Sequence, residues 1–384
     1  MNRIKSQKNI PIGWQEMKLG DVSRIFDGTH QTPEYTKSGI PFYSVEHVTA
    51  NDFSDTKYIS EEVFKKESER ISIEKGDILM TRIGDVGTAR HINWDVRASF
   101  YVSLALIKCK KEIDSEFLAF FINSAHFQRE IWGKTIHVAF PNKINLGDIS
   151  KCRIIMPLFS EQKRIVSVLE TWDHAIEKLA KKIKAKREIK KGLMQKLLTG
   201  KVRLAGFNEK WVFVRLGDIC KREKSNISAN SLECNDGRYN IYGASGLLKK
   251  INFYQHKEGY VSIVKDGAGV GRLFLCEPKS STIGTLDNLK AKEKNDFLFL
   301  YFLLQKIEFK KYIIGSTIPH IYFKDYKIEK VCIPKDIKEQ KAISDILTTA
   351  DNEIKMLEKK LVILKDQKKY LLNNLITGTI RTKS

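Results

Sequence analysis

The side chains that could do chemistry in this chain form no catalytic pattern. The sequence contains 8 histidines, but none stands in a His-Glu-x-x-His arrangement. It also contains no Gly-rich loop ending in Lys-Ser or Lys-Thr, and no Asn-Pro-Pro-Tyr or Asp-Pro-Pro-Tyr segment of the kind that holds a flipped base. Gly267, Gly269 and Gly271 have the wrong spacing for a dinucleotide site and lead into a predicted strand, so we interpret them as a turn that brings the backbone close to a partner. The sequence therefore predicts a non-catalytic protein.

The cysteines, the N-terminal segment and the apolar stretches indicate in which cellular compartment the protein resides. The 6 cysteines are scattered singly, without the close pairs of a zinc site, and are few for a disulfide framework. We interpret them as reduced core residues: Cys109, Cys152, Cys220, Cys234, Cys276 and Cys332. The segment Met1 to Trp14 lacks the apolar run of a signal peptide, and no stretch approaches the ~18 apolar residues of a membrane span. We therefore expect a cytoplasmic protein.

A formal net charge of +21 indicates an anionic partner, most often nucleic acid. Sequence-specific DNA recognition needs side chains that offer hydrogen-bond donors and acceptors to base edges from loops or helix ends. For each residue the alternative of an ordinary surface turn stays open; the stronger candidates lie in two late loops, 133–145 and 315–324. The candidates are Thr29, His30, Gln31, Arg82, His137, Asn142, Lys143, Tyr242, Ser245, Lys265, Arg272, His320, Tyr322 and Lys324.

The elements that must position these candidates occur twice. Residues 161–203 and 339–381 align without a gap, and 18 of the 43 aligned positions are identical. In both copies apolar residues alternate at steps of four and three, which predicts a long helix with a narrow apolar seam. Gly200 and Gly378 follow as predicted C-terminal caps. Neither helix can bury its seam alone, so we expect the two helices to pair.

Two lysines, Lys186 and Lys190, occupy seam positions of the first copy. They either fix the register of the pair or contact a partner or phosphate, or the seam splays and they extend into solvent. We favour the interpretation that the seam splays and the two lysines extend into solvent.

The regions before each helix are of domain length and match weakly. Both open with a Leu-Gly-Asp segment, at Leu19 and at Leu216, and both place an apolar strand before a glycine turn. An amphipathic helix follows in each, over 115–132 and 296–312. We predict a mixed α/β module that occurs twice, with module 1 at 1–160 and module 2 at 204–338. The helices then occupy 161–203 and 339–384, the latter with a C-terminal tail.

The order of a module, a long helix, a second module and a second long helix resembles that of the specificity subunit of type I restriction-modification systems. The marks that carry the resemblance are Pro157 before Glu161-Gln162-Lys163, Pro334 before Glu339-Gln340-Lys341, the Leu-Leu-Thr-Gly and Leu-Ile-Thr-Gly helix ends, and the paired Leu-Gly-Asp openings. The segments 28–33 and 242–246 also look like segments common in such modules. The resemblance spans essentially the whole chain.

The resemblance implies an α+β fold with two target-recognition domains separated by two long spacer helices. Because the two helix copies belong to one chain, we expect an antiparallel coiled coil with pseudo-two-fold symmetry. Two methyltransferase (modification) subunits would pack on the helices, and restriction (motor and nuclease) subunits would join them. S-adenosylmethionine, ATP and metal would belong to those partners, leaving this chain without a cofactor. Its double-stranded DNA site would be bipartite and asymmetric, because the modules differ.

Two other classes remain open. One is a free-standing sequence-specific DNA-binding protein, which the positive charge permits and a large exposed apolar patch on the helices would argue against. The other is a coiled-coil scaffold without a nucleic-acid role.

Overall fold

The computed structural model describes residues 10–138, 140–232 and 237–382, and the chain divides into two units that repeat one arrangement of strands and helices. Unit 1 comprises residues 1–179 and 360–384, and unit 2 comprises residues 180–359. Cys234 and residues 1–9, on which we made predictions above, lie outside the described residues.

The described residues of unit 1 form nine strands, six shorter helices and parts of two long helices. Its strands are β1 (Gln15–Lys18), β2 (Ser23–Asp27), β3 (Ile40–Tyr43), β4 (Lys57–Ile59), β5 (Ile78–Thr81), β6 (Ala89–His91), β7 (Ser99–Phe100), β8 (Leu104–Cys109) and β9 (Arg153–Met156). Its shorter helices are α1 (Leu19–Val22), α2 (Val45–Ala50), α3 (Glu61–Ser68), α4 (Ser115–Ile122), α5 (Ala125–Trp132) and α6 (Leu146–Ser150). The long helices are α7 (Phe159–Leu197) and α11 (Ile337–Ile376), and both continue into unit 2.

The core of unit 1 lies on both faces of a four-stranded antiparallel sheet with the order β2-β8-β5-β6. Side chains alternate along β5, so Ile78 and Met80 join one apolar cluster and Leu79 joins another. The first cluster also contains Ile165 of α7 and Leu375 of α11, and it fixes the module on the helices. A three-stranded sheet (β4-β3-β7) and the β1-β9 pair complete the unit.

Unit 2 has the same sheet plan. Its strands are β10 (Val212–Arg215), β11 (Cys220–Lys224), β12 (Tyr239–Gly243), β13 (Gly246–Ile251), β14 (Tyr260–Val264), β15 (Leu273–Cys276), β16 (Ser281–Thr282), β17 (Leu286–Ala291) and β18 (Lys330–Ile333). Its shorter helices are α8 (Leu216–Ile219), α9 (Phe297–Gln305) and α10 (Phe323–Tyr326), with 3₁₀ turns at Ala229–Ser231 and Phe309–Tyr312. The sheet orders β11-β17-β14-β15, β13-β12-β16 and β10-β18 reproduce those of unit 1 strand for strand.

The long helices pack antiparallel, as the seam predicts. In unit 1 the start of α7 (Ile165, Leu169) shares a buried cluster with the end of α11 (Leu375). In unit 2 the end of α7 (Leu197) lies with Ile343, near the start of α11. Both predicted caps are confirmed, because Gly200 and Gly378 each have φ +68°.

The interpretation that the seam lysines extend into solvent is wrong. Nζ of Lys186 lies 2.7 Å from Glu353, and Nζ of Lys190 lies 2.5 Å from Asp351. The same pair recurs in unit 1, where Nζ of Lys368 lies 2.5 Å from Asp173. Ion pairs at these positions favour a role in fixing the register of the helices.

The predicted helix over 115–132 is two helices. The Oγ of Ser124 accepts a hydrogen bond from the backbone N of Phe127 at 3.3 Å, which caps α5. The side-chain amide of Asn123 is hydrogen-bonded to both backbone groups of Ala89 in β6, with O–N and N–O distances of 3.1 and 2.9 Å. The Ser124 cap is local, whereas the Asn123 bonds reach a strand 34 residues away, and together they explain the break.

Within the described part of the chain, no helix has the length and apolar character that crossing a membrane requires. The five cysteines described there are free thiols, and three of them, Cys152, Cys220 and Cys276, are buried. Burial raises the pKa of the Cys276 thiol to about 11.

Candidate nucleic-acid interface

Backbone hydrogen bonds join the chain segments at 29, 82–84, 102–103 and 142, which carry candidate residues of unit 1 from distant parts of the sequence. We call this place the junction. The N–H of Val102 donates to the carbonyl of Thr29 at 2.9 Å, and the N–H of Arg82 donates to Ser103 at 2.9 Å. The N–H of Gly84 donates to the carbonyl of Asn142 at 2.8 Å. Thr29, Arg82 and Asn142 are therefore held in adjacent segments, with His30, Gln31 and Lys143 next to them in the chain.

Unit 2 repeats this junction with other side chains. The N–H of Lys265 donates to the carbonyl of Thr285 at 3.0 Å, and its carbonyl accepts from Ile321 at 2.9 Å, as the carbonyl of Arg82 accepts from Ile144 at 3.0 Å. The N–H of Gly267 donates to Pro319 at 2.8 Å. By these bonds Lys265 is equivalent to Arg82, and Pro319 to Asn142.

The remaining candidates of unit 2 lie around the same junction. His320 follows Pro319, and Nη1 of Arg272 donates to the carbonyl of Ala244 at 3.2 Å, beside the exposed Ser245. The carbonyl of Tyr242 accepts from Ile283 at 2.9 Å. The rings of His320 and Tyr322 meet at 5.0 Å, and Nζ of Lys324 lies 5.2 Å from the Tyr322 ring centre. The structure thus brings together all seven candidates of this unit.

The guanidinium of Arg82 donates hydrogen bonds to the protein backbone. Its Nη1 donates to the carbonyl of Val102 at 2.8 Å and its Nε to Ile144 at 3.3 Å, so the guanidinium links segments of the junction. Burial lowers its pKa, and the nearby carboxylate of Asp27 opposes that shift. Two of its five N–H groups donate to these carbonyls and tie the side chain to the junction, and its contact with DNA stays a prediction.

Asp27 collects a small charged cluster that the sequence did not reveal. Its carboxylate accepts from Nε2 of His30 at 2.8 Å and from Nη1 of Arg70 at 2.9 Å. Burial opposes ionisation, but the hydrogen bonds from Arg70 and His30 outweigh it and hold the pKa of Asp27 below its usual value. Arg70 comes from the end of α3, far from Asp27 in sequence, and no local motif identifies it.

The equivalent place in unit 2 also pairs acid with base. Asp287 is buried and lies opposite Lys224 in the β11-β17 pair, as Ala105 lies opposite Asp27 in unit 1. Burial raises the pKa of Asp287, and the charges of Arg222 and Lys265 oppose the shift. Arg82 and Lys265 occupy equivalent positions, and each has a carboxylate nearby. The carboxylates come from different strands: Asp27 from β2 in unit 1 and Asp287 from β17 in unit 2.

The late loop of unit 1 is closed by two backbone hydrogen bonds between Ile136 and Lys143, with N–O distances of 2.7 and 3.3 Å. At one end the ring of His137 packs against Trp132 at a tilt of 43°, with ring centres 4.0 Å apart, and its Nε2 contacts the Trp132 carbonyl at 3.0 Å. In unit 2 the corresponding loop is closed by Ile314 and His320 with N–O distances of 2.9 and 2.8 Å. Both late loops predicted from the sequence are therefore presented from equivalent places.

In the described ranges, no group of three or more His, Cys, Asp or Glu residues is placed to hold a metal ion. What the junctions offer is a set of hydrogen-bond donors, acceptors and aromatic rings on loops. Such groups suit the base edges and phosphates of a duplex.

The profile of the family described as "Type I restriction modification DNA specificity domain" matches residues 11–187 and 208–365. The chain is 26% identical over 415 residues to a putative type I restriction enzyme specificity subunit of Methanocaldococcus jannaschii, covering 98% of this chain and 95% of that protein. A second specificity subunit of that organism is 24% identical over 422 residues, with the same coverage of both chains.

The fold is also similar to a solved S subunit of a type I restriction-modification system from M. genitalium. The TM-score is 0.66 at 17% sequence identity, covering 97% of this chain and 98% of that one. At this identity the likeness concerns the fold alone.

Proposed function

This chain belongs to the specificity subunits of type I restriction-modification systems, and from that membership we propose that it reads a bipartite, asymmetric DNA site. Each module would read one half-site. The chain would also position two modification subunits, and restriction subunits with them, on that DNA in the cytoplasm. We propose modules 1–160 and 204–338 as the target-recognition domains, and 161–203 and 339–384 as the spacer helices.

One observation carries the proposal of two different half-sites. The backbone junction is the same in both units, but the side chains at equivalent positions differ: Arg82 against Lys265, and Asn142 against Pro319. Because base readout depends on the donors and acceptors of side chains, a conserved frame with different side chains presents two different patterns. The two half-sites should therefore differ in sequence.

We assign base reading to the candidates on the exposed side of the junctions. In unit 1 these are His30, Gln31, His137, Asn142 and Lys143, and in unit 2 they are Tyr242, Ser245, Arg272, His320, Tyr322 and Lys324. We propose that Thr29, Arg82 and Lys265, whose backbone groups join the segments of each junction, orient the loops against the duplex.

The surface of α11 supports partner binding. Within unit 1, its residues Val362, Ile363 and Tyr370 are exposed, although each is apolar or aromatic. Ile363 and Tyr370 are seven residues apart and so lie on one helix face. Exposed side chains of this kind suit contact with a partner subunit, and we therefore favour the specificity-subunit role over a free-standing DNA-binding protein. We assign methyl transfer and cleavage, with their cofactors, to the partners.

Exchange of one module tests the proposal. Residues 1–160 are replaced by the corresponding module of another specificity subunit, and methylated positions are mapped across the genome of cells that carry the modification subunits. We expect one half-site to change and the other to persist. The reciprocal exchange of residues 204–338 is the matched control, and it should change the complementary half-site.

An exchange that altered both half-sites, or neither, would contradict two independent readers. Methylation by the purified chain without its partners would contradict the assignment of catalysis to them.

A further inference from the structure

The late loop of unit 1 carries two apolar side chains that contact almost nothing. Val138 is 99% exposed and Phe140 is 103% exposed, so the protein covers neither side chain. Other phenylalanines of the same unit, such as Phe117, Phe121 and Phe127, are fully buried. A fully exposed aromatic ring at a loop tip is unfavourable in water, so its position indicates contact with something outside the unit.

Hydrogen bonds fix the base of this loop. Those between Ile136 and Lys143 close it, and the bond from the N–H of Gly84 to the Asn142 carbonyl ties it to the junction. Phe140 therefore lies in a loop with a fixed base, two residues before the candidate base reader Asn142 and three residues after His137.

The surroundings favour DNA over a protein as the occupant. Even with Trp132, which is 64% exposed at the base of the loop, three exposed apolar side chains are too few for the apolar core of a stable protein interface. Lys143 and His137 instead flank the tip with polar and cationic groups, and His137 packs at a tilt against Trp132. One planar ring framed by hydrogen-bonding side chains matches a base stack, in which a ring faces a base and its neighbours reach base edges and phosphates.

We propose that Phe140 inserts between two neighbouring base pairs of the DNA bound by unit 1, partly unstacking that step and bending the duplex. This inference rests on the proposed function, since it requires that unit 1 lies on DNA. Stacking of the ring on an exposed base offsets part of the cost of opening the step. The wedge adds shape selection, because steps that unstack easily accept it best.

Unit 2 provides an internal contrast. At the corresponding loop tip it exposes Ile318, at 65%. An aliphatic side chain packs well on a thymine methyl group but has no ring to stack on a base. The proposal is therefore confined to the half-site of unit 1.

The test uses the full chain assembled with its modification subunits, on a duplex whose target sequence has been mapped by methylation. 2-Aminopurine is placed in turn at each position in and beside the first half-site, and its emission is compared before and after binding. With the native chain we expect increased emission at one step apart from the methylated base, which the modification subunits flip out of the stack themselves, and a bend of roughly 20–90°. A mismatch at that step should tighten binding severalfold, because the step is already partly open.

The variant Phe140→Ala should lose the emission increase at that step, the bend and the preference for the mismatch there, while the half-site of unit 2 is kept. Phe140→Trp should retain all three, since a larger ring still stacks. Phe213→Ala is the matched control: Phe213 is 79% exposed on β10 of unit 2, and its loss should leave all three unchanged.

Two results would overturn the wedge while leaving the proposed function intact. The first is sequence-dependent methylation with no emission increase at any position other than the methylated base. The second is a loss of affinity in Phe140→Ala that deoxyuridine in place of thymine reproduces in the native complex, which would identify a methyl contact. If the native complex showed no sequence-dependent methylation at all, the proposed function would fail, and the wedge with it.

Discussion

Arg381 and Glu161 are 220 residues apart in the chain and form a two-pronged ion pair in unit 1. Nε of Arg381 lies 2.6 Å from Oε1 of Glu161, and Nη2 lies 2.8 Å from Oε2. The indole N–H of Trp14 donates to the same carboxylate at 3.1 Å. The N-terminal part of the module, the start of α7 and the segment after α11 are therefore joined at one buried carboxylate.

Unit 2 contains the same arrangement. Nε of Arg203 lies 2.7 Å from Oε1 of Glu339, and the indole N–H of Trp211 donates to it at 3.2 Å. The neighbouring glutamine is also repeated, since Oε1 of Gln162 and of Gln340 each accept a backbone N–H, from Asp114 and from Asp296, at 2.9 Å. The repeated Glu-Gln-Lys segments are therefore joints between module and helix.

Arg381→Ala should destabilise unit 1. The change leaves the carboxylate of Glu161 buried with only the indole N–H as a partner, which we expect to cost about 2 kcal/mol. Urea unfolding measures the loss. Arg153→Ala is the control, because Arg153 forms a more exposed pair with Glu130 at 3.4 Å and should cost less than about 1 kcal/mol. Equal losses of unfolding free energy for the two variants would mean that the buried Arg381–Glu161 pair stabilises the protein no more than a surface pair.

Lys190 and Asp351 should show a measurable coupling in a double-mutant cycle. Their atoms lie 2.5 Å apart and both side chains are largely buried, so we expect about 1 kcal/mol between Lys190→Ala and Asp351→Ala. The pair Arg187 and Glu358, on the same two helices but more exposed, is the control and should couple by less than about 0.5 kcal/mol. Additive losses at Lys190 and Asp351 would contradict a role in register.

Glu116→Gln should stabilise the protein at alkaline pH only. Burial, followed by the charges of Glu170 and Asp114, raises the pKa of Glu116 to about 7, from 4.5. The native state then binds a proton that the unfolded state releases, so this group's contribution is present below about pH 4.5 and is lost as the pH rises through about 7.

At pH 8 we expect Glu116→Gln to be more stable than the native chain by about 1–2 kcal/mol, with little difference at pH 5. Unfolding at both pH values measures the effect. Glu112→Gln, at an exposed position of the same unit, is the control and should show no such change. A gain of the same size at pH 5 and pH 8 would exclude titration of Glu116 as its cause.

His320→Ala and Lys324→Ala should weaken DNA binding in different ways. Nδ1 of His320 contacts the carbonyl of Ile318 at 3.1 Å, which leaves Nε2 to meet a base edge. Its loss should cost about 1–3 kcal/mol and relax specificity at one base pair. Loss of Lys324 should instead weaken binding to all sequences and reduce the salt slope by about one. Binding to the mapped target and to single-base variants, at several salt concentrations, separates the two; the opposite pattern would refute these roles.

Much of the fold could be predicted from the sequence because its signals are local. The heptad spacing predicted the two long helices, and the glycines that end them adopt the left-handed conformation that caps require. Repetition predicted the paired modules. The break at Asn123 and Ser124 was missed because it depends partly on the distant β6, through Ala89.

The candidate site divides differently. Residue types and loop positions in the sequence predicted which side chains could meet DNA, since turn chemistry and exposure leave a local signature. Only the tertiary structure decided that Arg82 turns to the carbonyls of Val102 and Ile144, and that Arg70 joins Asp27. The physical reason is that a guanidinium binds whichever acceptors the fold brings near it. Those acceptors lie 20 to 62 residues away in the chain, a distance over which the sequence carries no periodic signal.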